Sequence, residues 1–268
     1  MRLFRNSLSI TAFFTFVSIW LLTACATNIA GRKQVMLVSE SQAIEASKQA
    51  YSEMLAPLQQ AGKLDSNQAQ VKRINRITDR LVVQAKIKRP DSRNWEWSVK
   101  VIDDPDTVNA WCTAGGKMAI YTGLIQKLNP TDDEIAQVMG HEISHALLNH
   151  TAERMSVAMA SDLALQAVIT VTESSAATTS LASAAAQVAL TLPNSRTSES
   201  EADVLGIELA AKAGYDPNAA VTLWQKMEQV SGNGGLEFLS THPAPENRQN
   251  KLRELIPSMM PYYLAAKK

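Results

Sequence analysis

His141-Glu142-Ile143-Ser144-His145 places two imidazoles four positions apart with a carboxylate between them. On an α-helix, positions i and i+4 lie about 40° apart in azimuth and one turn apart in height, so both rings can reach one metal ion. Glu142 then stands where it can take a proton from a water on that ion. With 4 His and 15 Glu in 268 residues, random placement produces the pattern roughly 0.3% of the time, so chance explains it poorly. The helix itself is announced: Thr131 and Glu134 form a capping box, Pro130 ends the preceding segment, and Asp132 and Asp133 suit the positive helix end.

A catalytic zinc site uses a third protein ligand and keeps one position open. The metzincin pattern would need Gly at 148 and His at 151, where this chain has Leu148 and Thr151. His150 is about 140° around the helix from His145, so it faces elsewhere and reads as structural. The alternative is a later carboxylate from Ser198-Glu199-Ser200-Glu201-Ala202-Asp203. Glu199 and Asp203 share a helix face, whereas Glu201 points about 200° away from Glu199, toward solvent. The expectation is one zinc ion held by His141, His145 and Glu199, with Asp203 orienting a ligand imidazole through its free ring nitrogen.

These groups need a scaffold. The chain is 46% hydrophobic and 19% charged, with 26 basic residues against 26 acidic ones. A balanced charge argues against a nucleic-acid partner, which would require concentrated Lys and Arg. Arg2 and Arg5 precede a mainly apolar run from Leu8 to Leu22, followed by Leu22-Thr23-Ala24-Cys25, a lipobox. Residues 1–24 therefore read as a signal peptide, Cys25 as the lipidated N-terminus, 25–38 as a tether and 39–268 as a single domain. Ala26 rather than Asp follows the cysteine, which by similarity to bacterial lipoproteins implies the outer membrane, periplasmic side. Cys112, in an apolar stretch, reads as a small core residue.

Residues 39–60 and 66–88 carry helical periodicity, with Leu64, Val71, Ile74, Ile77 and Leu81 on one face of the second. Trp95, Trp97, Val99 and Val101 alternate with polar residues as a strand does, and 109–113 and 117–122 read as two strands around Gly115-Gly116. The chain beyond residue 122 is mostly helical, so the order of helices, a small three-stranded sheet and helices predicts an α+β domain. Residues 174–195 carry no charge but are rich in Ser and Thr, and read as an Ala-rich helix or a flap rather than a membrane span.

The order Gly31-Arg32-Lys33-Gln34, Val108-Asn109-Ala110-Trp111, HExxH, Ser195-Arg196, Glu199 to Asp203, Ala213 to Pro217, Thr241-His242-Pro243 and Arg248 resembles the gluzincin family of the Ste-type CAAX proteases and HtpX, in its exported, soluble BepA- and LoiP-like lipoprotein branch. The resemblance covers most of the chain after Cys25 and implies a mostly helical, zincin-like endopeptidase acting on unfolded or misassembled envelope proteins, with outer-membrane assembly machinery as a possible partner. It implies Glu199 as third ligand and Asp203 behind the ligands. It also implies that His242 reaches the zinc, either to fill the open position and hold the enzyme off or to move and stabilise the oxyanion. Proteases with HExxH add an extended substrate to a sheet edge beside the motif helix. Lys117-Met118-Ala119-Ile120-Tyr121 is the candidate for that edge.

Two other classes fit parts of the pattern: a chaperone or assembly lipoprotein with a silenced or structural zinc site, and an adaptor presenting a patch from Met259 to Tyr263. Glu142→Gln separates them from the enzyme. The variant is expected to keep its zinc while the rate of peptide hydrolysis falls by about 10²–10⁴, as read from metal content and cleavage of an unfolded protein in parallel.

Overall fold

The computed structural model describes residues 25–171, 195–231, 236–243 and 247–268. The signal segment 1–24 and nearly all of the uncharged stretch 174–195 lie outside the described residues. The first long helix, α1 (Glu40–Gln60), starts at a capping box: Gln42 N–H donates to the Ser39 hydroxyl, and the Gln42 side chain accepts from Ser39 N–H. Helix α2 (Gln68–Lys88) is capped by Asn67 and buries Ile74, Ile77, Leu81 and Ala85 along one stripe. Leu64 does not join that stripe. Asp65 takes a positive φ of 53°, which breaks the chain before α2, and Leu64 instead bridges to Ile102 and packs with Leu55 and Ala119.

Strand β3 (Ser98–Ile102) begins later than the tryptophan alternation suggests. Trp95 closes a short 3₁₀ turn and Trp97 donates its indole N–H to Ser92 O, so the two rings pack 5.3 Å apart in a loop. Strands β4 (Ala110–Cys112) and β5 (Lys117–Tyr121) form the expected hairpin, with Gly115 and Gly116 at φ of 85° and 83° in the turn. The strand order is β3-β5-β4, with β5 parallel to β3 and antiparallel to β4. Lys117–Tyr121 is therefore the middle strand. Both of its edges are paired, so it cannot accept a substrate strand, and the free edge near the motif helix is β4.

After α3 (Thr122–Leu128) the chain enters α4 (Asp132–Leu147), whose Thr131–Glu134 capping box forms as expected. Every residue of α4 from Glu134 to Leu147 is buried. Such a helix belongs at the centre of a fold, and α4 packs between α2, β4 and the later helices. These are α5 (His150–Val171), α6 (Arg196–Lys212), α7 (Ala219–Ser231), α8 (Glu237–Thr241) and α9 (Arg248–Ala266). In α9, Met259 is buried and Tyr263 packs on the core, so the stretch from Met259 to Tyr263 is not one exposed patch. Among the described residues no helix is long and apolar enough to cross a membrane. The architecture is the expected mostly helical α+β domain.

Helices α4 and α6 cross with their backbones in contact. A Cβ on Gly206 would lie 2.8 Å from His141 N, and one on Gly140 would lie 2.9 Å from Gly206 O. This approach brings the first turn of α6 within side-chain reach of the HExxH rings.

The segment 25–38 is folded rather than slack. Strand β1 (Cys25–Thr27) pairs antiparallel with β2 (Lys33–Val35), and Gly31 supplies the left-handed turn residue at φ 87°. Gln34 is buried and donates to Leu148 O and Glu153, while Val38 N–H donates to Ser156 Oγ. The stretch placed before the domain is thus packed against it, because these polar side chains satisfy backbone and carboxylate groups where α4 gives way to α5.

Gly206→Ala should force the two helices apart at the motif. The expected cost is about 1–3 kcal/mol, as for overpacking generally, read from urea unfolding of the metal-free protein.

Candidate active site

His141 Nε2 and His145 Nε2 lie 3.1 Å apart at the centre of the buried cluster. Glu199 straddles them, with Oε2 3.3 Å from His141 Nε2 and Oε1 3.3 Å from His145 Nε2. His242 completes the group through Nδ1, 3.1 Å from Glu199 Oε1 and 3.4 Å from His141 Nε2. All four residues are buried, and one donor atom from each falls within 4.8 Å of the rest. Zinc–ligand bonds of 2.0–2.1 Å in a tetrahedron separate donors by about 3.3 Å. The chain's nitrogen and oxygen donors match both the chemistry and the spacing of a zinc site.

Glu142 points into the same space. Its Oε1 is buried, has no hydrogen-bond partner among the described residues and lies 3.4 Å from His242 Nε2. Burial raises its pKa above the ordinary carboxylate value, against the pull of His242 and His141. Burial also keeps His145 neutral, the form that ligates a metal. At His141 burial opposes protonation, but the Glu199 and Asp203 carboxylates outweigh it and push the metal-free imidazole up to about 10.

Support for the ligands comes from α6 and α9. Asp203 Oδ1 lies 3.0 Å from His141 Nδ1, where the shared-face argument puts it. Arg248, at the start of α9, donates from Nε to Asp203 and from Nη2 to Glu199, both at 2.6 Å, with its guanidinium 3.8 Å over the Trp224 ring. Sequence spacing gives Arg248 no role; its only signal is the motif order, because a buried cation that bridges two carboxylates is a long-range arrangement.

Two expectations are overturned. His150 does not face elsewhere, and Glu201 is not turned to solvent. Asn149 adopts φ 58°, so α4 ends and α5 starts in a new direction, and the azimuth of a continuous helix does not apply. His150 Nδ1 comes within 2.8 Å of His145 Nδ1, and its Nε2 lies 3.0 Å from Glu201 Oε2.

The cleft over the site has a volume of about 80 Å³ and is lined by β4, Glu142, His145, Arg154, Glu237 and His242. Cys112 is in this wall; burial pushes its thiol up, which fits an unreactive packing residue. A larger hollow of about 510 Å³ between α1 and the β4–β5 turn shares no residue with the metal group.

Fold and site together are those of an HExxH metallopeptidase, with a glutamate from a later helix placed beside the two histidines where it could serve as a metal ligand. Peptidase family M48 matches residues 68–256. The chain belongs to that family, whose members are zinc-dependent. It is 35% identical over 158 residues to the mitochondrial metalloendopeptidase OMA1 of Arabidopsis thaliana, covering 59% of this chain and 31% of that protein. It is 30% identical over 159 residues to the metalloprotease YcaL of Escherichia coli, covering 56% and 59% of the two chains. It is 31% identical over 167 residues to a candidate beta-barrel assembly-enhancing protease of Vibrio cholerae, covering 59% and 34%. The chain thus spans less than two thirds of the relatives it matches.

Arg248→Met leaves Glu199 and Asp203 buried without their cation. The metal-free protein should lose about 3–5 kcal/mol of stability, and zinc should recover part of the loss, as read from urea unfolding with and without the metal.

Proposed function

We propose that this chain is a zinc endopeptidase of the bacterial envelope that hydrolyses peptide bonds in unfolded or misassembled envelope proteins. The observation that carries the reading is the buried Glu142 carboxylate, its Oε1 without a hydrogen bond and 3.4 Å from His242 Nε2, beside the His141, His145 and Glu199 donors. Zinc, when bound there, acidifies a water and polarises the scissile carbonyl. Glu142 takes the proton of the attacking water and returns it to the leaving amine. Asp203 and Arg248 hold His141 and Glu199 in place while this happens.

Strand β4 is the proposed substrate edge. Asn109 and Thr113 direct their backbone bonds to Tyr121 and Lys117 of the hairpin partner, so by the antiparallel alternation Ala110 and Cys112 turn theirs away from β5. An extended chain added there is held through its backbone, with little sequence selectivity. That suits unfolded substrates.

His242 fills the position a substrate would take. Its ring stacks on Phe238 at 4.4 Å, with Nδ1 in the ligand group and Nε2 toward Glu142. We read it as a gate that substrate must displace. Envelope location rests on the Leu22 to Cys25 lipobox and the similarity to YcaL and the Vibrio cholerae protease, whose name also suggests an outer-membrane assembly partner. The filled fourth position favours one second reading, an assembly lipoprotein with a silenced site. Full complementation of a deletion strain by Glu142→Gln would select it.

The test is cleavage of an unfolded model protein by the purified chain with its zinc content measured. Wild type should cut, and His242→Ala should cut several-fold faster at unchanged zinc. A fall in rate with zinc retained would instead assign His242 to the oxyanion, and an unchanged rate would remove it from both roles.

A further inference from the structure

We propose that His150 is a positioning residue that sets the tautomer and ring orientation of the metal ligand His145, and that the N-terminal hairpin holds His150 in place through Glu201. The inference rests on the zinc-ligand reading of His145 and extends it to His150, which lies outside the HExxH motif, and to the groups that hold it.

His145 and His141 converge through their Nε2 atoms. A neutral His145 that ligates through Nε2 carries its proton on Nδ1, and that Nδ1 lies 2.8 Å from His150 Nδ1. His150 Nδ1 must then be the acceptor, which puts the His150 proton on Nε2, facing Glu201 Oε2 at 3.0 Å. Every proton in the series has one place to be. His141 has its carboxylate directly, through Asp203. His145 has its carboxylate one imidazole further out.

The series does not end at Glu201. Arg32 Nε donates to Glu201 Oε1 at 2.8 Å, while its Nη1 and Nη2 clasp the two oxygens of Glu153 at 2.6 Å each. Asn28 Nδ2 reaches Glu201 at 3.3 Å, and Asn28 Oδ1 accepts from Ala30 N–H and Arg32 N–H, which fixes the hairpin loop. Gln34 ties β2 to Leu148 O at the end of α4. His150 is 1% exposed and Glu201 only 14% in their side chains, so the bond at the imidazole is shielded from water. A hairpin at the start of the described chain thereby supports a ligand in the HExxH helix.

The test measures zinc affinity of the full chain by competition with a chromogenic chelator. His150→Leu keeps bulk but removes the acceptor, and should raise the zinc dissociation constant about 10–100-fold, the usual cost of losing a ligand's outer partner. His150→Gln, whose amide accepts at Oε1 and donates at Nε2, should restore most of the affinity; a role in packing alone would not distinguish the two. Glu201→Ala and Arg32→Ala should each weaken zinc by less than His150→Leu and in the same direction, and they decide the matter if His150→Leu does not fold. Wild-type affinity in folded His150→Leu, or in both outer variants should His150→Leu not fold, overturns the proposal. Absence of zinc from the wild-type chain would overturn the metallopeptidase reading itself, a result distinct from tight zinc in wild type and variants alike.

Discussion

The carboxylate of Glu199 has no exposed surface, and the structure is arranged around the cost of putting it there. A buried carboxylate is tolerated only among cations and donors that replace its water. Arg248 supplies one full charge at 2.6 Å, and the two imidazoles of α4 stand 3.3 Å away in a donor set that could hold a metal ion. The other features derive from that requirement. α4 must be buried on all sides to keep water out, α6 must approach it at backbone contact to deliver Glu199, and glycine at 140 and 206 is what permits that approach. Asp203 is a second negative charge, only 10% exposed in its side chain, and Arg248 also answers it. The same guanidinium therefore fixes both the carboxylate proposed as a metal ligand and the one beside His141.

Substrate access involves a different part of the molecule. β4 is a short edge strand, three residues long, whose outward backbone groups open onto the cleft. The element carrying His242 is pinned to the beginning of that strand: Phe238 N–H donates to Val108 O and Asn109 Nδ2 donates to Glu237. The proposed gate and the proposed edge are thus one connected region. A chain pairing with Ala110 and Cys112 would lie against the same cleft that His242 lines.

The sequence made the centre of the site legible because its geometry is local. Two residues on one helix face are related by a fixed rotation, so His141 with His145 and Glu199 with Asp203 follow from spacing alone. The same rule failed at His150 for a definite reason. It presumes a continuous helix, and Asn149 in the left-handed region ends one helix and begins another. Glu201 was misplaced because its partners, Arg32 and Asn28, lie 169 and 173 positions away, and no local pattern records them. The sheet shows the same limit: the hairpin was readable from its glycines, but β3 pairing with β5 rather than β4 depends on contacts between distant segments. Which strand is the edge could not be read from either strand.

The folded hairpin also sets how far the site can travel. Fourteen free residues from Cys25 to Val38 would give an active site roughly 45–50 Å of leash from an attachment point at Cys25. The hairpin takes up that length. An acyl chain at Cys25 would leave the catalytic domain flush with its membrane, surveying a thin layer of the surface by lateral diffusion instead of a volume. Segments that reach the cleft would be those lying close to that surface, so proximity to the bilayer would do the selecting that a backbone-reading strand edge leaves undone.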